Sequence, residues 1–126
     1  MTVRAENPSD VDRLLFEAYN RGDLDAMVSL YRPDCRLVTR DGVQDGPEAA
    51  RAFLGGLVAL KGKVTWSEAY AVPAGDTAMV SSRWSVAFKD ADGSARTLAG
   101  TSVVVVRKDA AGWRYLIDHP FGGGAG

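Results

Sequence analysis

The sequence predicts an α+β fold in which helices come first and pack on one face of a curved antiparallel sheet. Up to about residue 60, apolar side chains recur every three or four positions, which is the spacing of amphipathic helices. From Lys63 onward they alternate with a period of two, which is the spacing of strands. Residues 100–121 contain a run of valines, a turn and a second apolar run, and this pattern predicts a long hairpin.

Two helices are predicted in the first part of the chain. Ser9 is expected to cap the first helix, with Asp12 three positions later in a capping box, and Gly22 is expected to end it. Asp23 is expected to cap the second helix and Pro33 to stop it. The apolar residues of the first helix share one face: Val11, Leu14, Leu15, Ala18 and Tyr19.

A short strand and a third helix are predicted next. The strand covers Cys35–Thr39, where polarity alternates, and the Asp41-Gly42 pair after it is a turn signal. Gly46 and Pro47 open the third helix, because proline is tolerated at the first helical position. The buried face of this helix is expected to carry Ala49, Ala50, Phe53, Leu54 and Leu57.

Strands are predicted to complete the chain as a meander. They cover Val64–Val72, Thr77–Lys89, Ser94–Arg107 and Trp113–Phe121. Val103–Val106 make one strand apolar on both faces, so both faces are expected to be covered. The helices of this chain would cover one face, and a second copy of the chain is a candidate for the other. Residues 1–121 therefore form one predicted domain, followed by a flexible glycine-rich tail at residues 122–126.

Composition and charge are typical of an ordinary globular domain and exclude several functions. Of the 126 residues, 46% are hydrophobic and 25% are charged, and the net charge is −1. The basic residues are spread along the chain, which argues against a nucleic-acid or anionic-membrane partner. There is no visible membrane span or signal peptide, and Cys35 is the single cysteine, so the expected compartment is the cytoplasm. The sequence has no metal-ligand spacing and no phosphate-binding glycine loop, so no metal and no cofactor are expected.

Several segments resemble a known superfamily. Tyr19–Cys35 contains a Gly-Asp pair and the spacing Leu-Tyr-x-x-Asp, Gly46–Phe53 resembles the third helix of the superfamily, and Gly112–Phe121 resembles the last strand of its small bacterial members. The superfamily is that of nuclear transport factor 2-like (NTF2-like) proteins, and the chain is similar to its SnoaL-like and ketosteroid-isomerase-like branch. The resemblance implies a cystatin-like α+β cone, in which three N-terminal helices pack in a strongly curved, mixed or antiparallel sheet that forms a half-barrel. It also implies an apolar pocket open at one end and a homodimer through the outer face of the sheet.

The resemblance does not extend to the catalytic residues of ketosteroid isomerases. The family's tyrosine on the first helix corresponds to Leu15, its aspartate base to Thr39 and its neutral aspartic acid to Val104. That reaction needs a base and hydrogen-bond donors aimed at a developing enolate. A steroid delta-isomerase mechanism is therefore not expected, and whether the chain is an enzyme stays open.

His119 is the candidate acid–base residue, because it is the only histidine and imidazole titrates near neutral pH. Strict alternation places it on a face that would look into the cone. The same face of the strand carries Trp113, Tyr115, Ile117 and Phe121. Asp118 would then point the other way, toward the rim or a dimer contact. In the acid–base interpretation, His119→Ala would abolish turnover while the fold survives. In the alternative interpretation, His119 is a residue at the end of a strand that is hydrogen-bonded to a neighbour.

Glu68 and Tyr19 are candidate catalytic partners of His119. Glu68 interrupts the otherwise apolar face of its strand, where Trp66, Tyr70 and Val72 also lie. It would either pair with His119 or an arginine inside the cone or, if the strand twists, reach solvent. Tyr19 would either donate a hydrogen bond to a ligand or be a core residue with a solvated hydroxyl.

A set of mostly apolar residues is expected to line a ligand pocket. It consists of Leu15, Phe16, Thr39, Phe53, Trp66, Trp84, Phe88, Val104, Ile117 and Phe121. In one interpretation the chain is a SnoaL-like pocket protein that binds, and can transform, an apolar small molecule. In the other it is a non-catalytic homodimeric binding or interaction module, whose cone is filled by its own side chains. The volume of the cavity distinguishes the two.

Overall fold

The chain folds as an α+β structure with helices packed on one six-stranded sheet, which confirms the predicted fold class. The computed structural model describes residues 3–124. The helices are α1 (Pro8–Arg21), α2 (Leu24–Val28) and α3 (Gly46–Val58). The strands are β1 (Tyr31–Thr39), β2 (Gly42–Asp45), β3 (Lys63–Ala74), β4 (Thr77–Lys89), β5 (Ala95–Asp109) and β6 (Gly112–His119). None of the helices within residues 3–124 is long and apolar enough to cross a membrane.

The sheet is open and mixed. Its strand order is β2-β1-β6-β5-β4-β3, which leaves β2 and β3 at the edges. β1 and β6 run parallel, and the other neighbouring pairs are antiparallel. α1 packs across β3 to β6 and α3 packs on β1, so the helices share one face of the sheet. We call this the inner face, and the opposite one the outer face.

The cap of α1 differs from the prediction by two residues. Asn7, not Ser9, is the capping residue, and its backbone N–H donates to the Asp10 carboxylate at 3.1 Å. Pro8 then occupies the first helical position, where its missing N–H costs nothing. Asp12 is consequently not part of the capping box. It lies on the buried side of the helix, with an exposed fraction of 4%.

The second helix ends before the predicted stop at Pro33. α2 spans only Leu24–Val28, and the chain enters β1 at Tyr31, so Pro33 lies inside a strand. The cause is a long-range pairing, because Tyr31 lies beside Tyr115 of the parallel strand β6. Tyr31, which a helix that continued to Pro33 would have included, therefore lies at the start of a sheet strand.

A β-bulge in β6 reverses the alternation that the sequence predicts for the end of that strand. Tyr115 lies opposite Val106 and Ile117 lies opposite Val105, which leaves Leu116 as an extra residue. Beyond a bulge, the side chains point to the opposite faces from those that strict alternation gives. Asp118 therefore points to the inner face, beside fully buried Val104.

A second bulge, in β3, has the same effect. Glu68 lies opposite Ser82 and Tyr70 lies opposite Ser81, so Ala69 is the extra residue. Tyr70 and Val72 therefore lie on the outer face, where they are 42% and 56% exposed. The prediction that they share a face with Trp66 and Glu68 was wrong, because that pattern assumed an unbroken strand.

Candidate functional site

A cavity of about 50 Å³ lies between α1, α3 and the inner face of the sheet. The residues that α1 contributes are spaced as one helical face: Asp12, Leu15, Phe16 and Tyr19. The sheet contributes Trp84, Ser102, Tyr115 and Asp118, among others. Two carboxyl groups therefore face a small, mostly apolar space.

Asp12 is held by two hydroxyl groups. The Ser82 hydroxyl donates to Asp12 Oδ2 at 2.8 Å, and the Tyr115 hydroxyl donates to Asp12 Oδ1. Burial raises the pKa of Asp12, while these two hydrogen bonds act in the opposite direction. The nearby charge of Glu68 raises the same pKa further. Since both oxygens already accept a hydrogen bond, Asp12 orients Tyr115 and Ser82.

Asp118 has a hydrogen-bond donor on only one oxygen. The Tyr31 hydroxyl donates to Asp118 Oδ2 at 2.5 Å, and no other donor among residues 3–124 reaches its carboxyl group. Burial raises the pKa of Asp118 to about 7, against the lowering effect of the Tyr31 hydrogen bond. The charge of Asp12 adds to the increase. A carboxyl group that titrates near neutral pH and faces a cavity can give or take a proton there.

The two carboxyl groups belong to one buried network. The rings of Tyr31 and Tyr115 lie against each other, with their centroids 4.7 Å apart. Each tyrosine donates to a different carboxylate, Tyr31 to Asp118 and Tyr115 to Asp12. Burial raises the pKa of both tyrosines well above its ordinary value, so both hydroxyls keep their protons at neutral pH. The network thus fixes the orientation of Asp118.

Tyr31→Phe is expected to raise the pKa of Asp118, because the Tyr31 hydrogen bond stabilises the ionised carboxylate. The carboxyl ¹³C chemical shift of Asp118, followed by NMR across a pH titration, measures the change. Tyr19→Phe is the matched control, since the Tyr19 hydroxyl donates to the Leu57 carbonyl at 2.7 Å and to no carboxylate. A midpoint that stays in place in Tyr31→Phe would contradict the assignment of this hydrogen bond.

His119 does not lie where the sequence placed it. It is opposite Val103, and so on the outer face with Ile117, because of the bulge at Leu116. The expectation that it shares a face with Tyr115 was wrong, as was the outward direction given to Asp118. His119 is half-buried beside Gly122, where a Cβ atom would come within 2.9 Å of the imidazole. It lines a separate groove of about 830 Å³.

The two candidate partners of His119 lie apart from it. Tyr19 lines the cavity, but its hydroxyl already donates to the backbone of Leu57. Glu68 is exposed on β3, and no ion pair joins it to another residue within 3–124. It lies opposite Ser82, which explains its electrostatic effect on Asp12.

The residues expected to bind a ligand divide into several groups. Those that line the cavity are Leu15, Phe16, Phe53 and Trp84. Thr39 and Phe121 line the groove, to which Phe53 also contributes. Trp66 contacts the ring of Phe16, with ring centroids 5.3 Å apart, and Phe88 is half-buried against the core; neither residue lines the cavity itself. Val104 is buried within the core, and Ile117 is 37% exposed on the outer face, so neither lines the cavity.

Asp12, Ser82, Tyr31, Tyr115 and Asp118 form the polar network, and sequence reasoning did not bring them together. For Asp12 a signal was present, since Asp12, Leu15, Phe16 and Tyr19 follow helical spacing on one face. For Asp118 no local signal was available, because its direction depends on the bulge at Leu116.

A model of the SnoaL-like domain family matches residues 11–112 of the chain. An NTF2-like protein of unknown function from Shewanella oneidensis is 23% identical, with a TM-score of 0.72 over 88% of this chain and 93% of that one. A ketosteroid isomerase-like protein from Erwinia carotovora atroseptica is 18% identical, with a TM-score of 0.76 over 88% and 89% of the two chains. A domain of unknown function with a cystatin-like fold from Nostoc punctiforme is 17% identical, with a TM-score of 0.74 over 89% and 72%. These similarities confirm the fold, and no curated protein sequence is significantly similar to the chain.

Proposed function

The chain belongs to the family of SnoaL-like domains, and on that basis we propose that it binds an apolar small molecule in the cavity and uses Asp118 as an acid–base group. The observation that carries this proposal is the placement of Asp118. One of its oxygens is held by Tyr31, the other has no donor among residues 3–124, and the residue lines the cavity. In this proposal the acid–base group is Asp118, and not His119 as the sequence suggested.

The chemistry that this arrangement can perform is proton transfer to or from a bound ligand. In its ionised form, Asp118 accepts a proton from an acidic C–H or O–H of the ligand, which leaves the negative charge on the ligand and makes Asp118 neutral. Tyr31 stabilises the carboxylate before the transfer by its hydrogen bond. The Ser102 hydroxyl also lines the cavity and makes only a 3.3 Å hydrogen bond to the Ser82 carbonyl. It is therefore available as a donor to a ligand oxygen. Leu15, Thr39 and Val104 cannot supply the groups of a steroid isomerase, so the proposed proton transfer rests on Asp118 and not on those positions.

Deuterium exchange tests the proposal without knowledge of the natural ligand. The probe is prodan, a fluorescent naphthalene ketone with exchangeable hydrogens beside its carbonyl, incubated with the protein in D₂O and followed by mass spectrometry. The expected result is exchange that is faster with the protein than with buffer alone. Leu57→Trp is the control variant: Leu57 is half-buried and lines the cavity, so the larger side chain is expected to fill the cavity and return exchange to the rate in buffer. Equal exchange with and without protein would contradict acid–base chemistry in this cavity.

The non-catalytic alternative is supported by the size of the cavity. About 50 Å³ is less than the roughly 150 Å³ that holds a benzene ring in an engineered protein cavity. A cavity that never enlarges would make the chain an interaction module with a filled interior. Deuterium exchange into prodan separates the alternatives, since a naphthalene ketone cannot reach Asp118 in a cavity that keeps this volume, whereas binding alone could take place in the groove.

We also propose that the chain forms a homodimer through the outer face of the sheet. Met79, Val105 and Ile117 lie in one row across β4, β5 and β6, and Val72 of β3 extends the row. Met79 is 44% exposed and Ile117 is 37% exposed. An apolar row of this kind on an open sheet face indicates a protein contact, and a second copy would cover it with the same apolar row.

Met79→Lys is expected to convert the dimer to a monomer, because it places a charge at the centre of the apolar row. Light scattering at micromolar concentration measures the mass. Ala87→Lys is the matched control, since Ala87 is exposed on the outer face of the same strand, at its other end. A wild-type chain with monomer mass would contradict the proposed dimer.

A further inference from the structure

We propose that the cavity and the groove are two parts of one ligand site, divided in this conformation by the movable segment Pro120–Phe121, and that the site takes an elongated apolar molecule with a hydrogen-bonding end. This inference rests on the proposed function, since it names the kind of ligand that reaches Asp118. The hydrogen-bonding end would lie at Asp118, and the apolar body would occupy the groove.

The division between the two spaces is thin. Phe53 and Pro120 line both the cavity and the groove. Phe121 lines the groove and packs on Trp84, which lines the cavity, with ring centroids 5.2 Å apart. Displacement of Phe121 and Pro120 would therefore join a space of about 50 Å³ to one of about 830 Å³. The joined space is large enough for a molecule of several rings.

The segment is held in place by one side-chain hydrogen bond and by backbone hydrogen bonds of the residues that follow it. The Trp84 indole N–H donates to the Pro120 carbonyl at 2.9 Å. Beyond it, Gly123 and Gly124 exchange backbone hydrogen bonds with Thr101, each of 2.9 Å. Phe121 remains 37% exposed, so only part of its ring is buried by the closed arrangement. Since glycine carries no Cβ, the residues after Phe121 can change backbone conformation at low steric cost.

Gly100 shows how closely Phe121 is seated. A Cβ atom at Gly100 would come within 2.6 Å of Phe121 Cδ1 and within 3.1 Å of the Trp84 ring. The closed position of Phe121 therefore requires glycine at residue 100. Gly100→Ala is therefore expected to displace the Phe121 ring from its closed position without removing the Phe121 side chain.

The composition of the groove supports an apolar ligand body. Its walls include Val38, Ala52, Phe53, Leu98, Ala99 and Phe121. The groove is also lined by His119 and by two charged residues of opposite sign, Arg40 and Asp41. The groove thus has no concentrated charge of one sign, which favours a neutral ligand over a polyanion.

Stopped-flow fluorescence with prodan tests the inference. In the wild-type protein, the observed association rate is expected to level off at high prodan concentration, because opening of the segment becomes limiting. Phe121→Ala and Gly100→Ala are each expected to abolish this plateau and to raise the association rate about tenfold or more, as for a binding-competent state populated at 10% or less. Phe88→Ala is the matched control, since it removes a half-buried phenylalanine that lines neither space. It is expected to keep the plateau.

The outcomes separate this inference from the proposed function. Prodan binding at the same unsaturated rate in wild type, Phe121→Ala and Gly100→Ala would overturn the gate without contradicting the proposed function, which deuterium exchange tests separately. Weaker binding in Phe121→Ala without faster association would also overturn the gate, since Phe121 would then be only a wall of the site. No binding to any variant, with all of them folded by circular dichroism, would overturn both proposals.

Discussion

Asp118→Asn is expected to slow protein-catalysed deuterium exchange into prodan by about 10² to 10⁴-fold, which is the usual contribution of a positioned acid–base group. The amide has nearly the shape of the carboxyl group and can still accept the hydrogen bond from Tyr31, so the cavity should be unchanged. It cannot accept a proton at neutral pH. Prodan affinity, measured by fluorescence titration, should therefore stay close to that of the wild type while exchange is lost.

The pH dependence of exchange distinguishes Asp118 from His119. In the wild type, exchange is expected to increase with pH through about 7, because the carboxylate is the reactive form and burial raises the pKa of Asp118 to that value. An imidazole base also titrates near neutrality, so the profile alone does not identify the group. Asp118→Asn should remove the pH dependence and His119→Ala should retain it. The reverse pattern would return the acid–base role to His119.

The sequence predicts most elements of this fold, because their signals are local, but it does not predict strand β2 or the start of β1 at Tyr31. The helical spacing of Val11, Leu14, Leu15 and Ala18, the Asp-Gly turn at residues 41–42 and the opening of α3 at Gly46 all hold in the structure. The valines of β5 were expected to be apolar on both faces. Val104 and Val106 are fully buried on the inner face, and Val103 and Val105 are half-buried on the outer one.

The site depends on features that local patterns do not contain. The direction of Asp118 depends on one extra residue, Leu116, whose insertion is decided by pairing with β5. Tyr31 enters the site because it pairs with Tyr115 from the far end of the chain. A pattern that alternates strictly gives the wrong face for every residue after a bulge, and it therefore predicted that His119 faces inward and Asp118 outward, the reverse of what the register shows.

Burial of the Asp118 carboxyl group also lowers the stability of the folded protein at neutral pH, and the second large expected effect follows from this. The pKa of Asp118 is raised by burial from 3.8 to about 7, so between these values the unfolded chain loses the proton while the folded chain keeps it. The unfolded state then binds fewer protons, and the free energy of unfolding must fall as the pH rises across this range. For a shift of about three units, the loss is on the order of 4 kcal/mol.

Asp118→Asn should remove this loss, because the amide does not titrate. The variant is expected to approach the wild type in stability near pH 4 and to be more stable than the wild type near pH 8, as measured by urea denaturation across the range. The difference between the two proteins cancels the titration of distant carboxylates that both share.

Asp109→Asn is a control of opposite sign. Its carboxylate accepts the Ala111 N–H and pairs with Arg114, which lowers the pKa of Asp109, so that variant should be less stable than the wild type at neutral pH. A difference between Asp118→Asn and wild type that stays constant from pH 4 to pH 8 would show that Asp118 ionises as freely as in the unfolded chain, and the acid–base assignment would lose its physical basis.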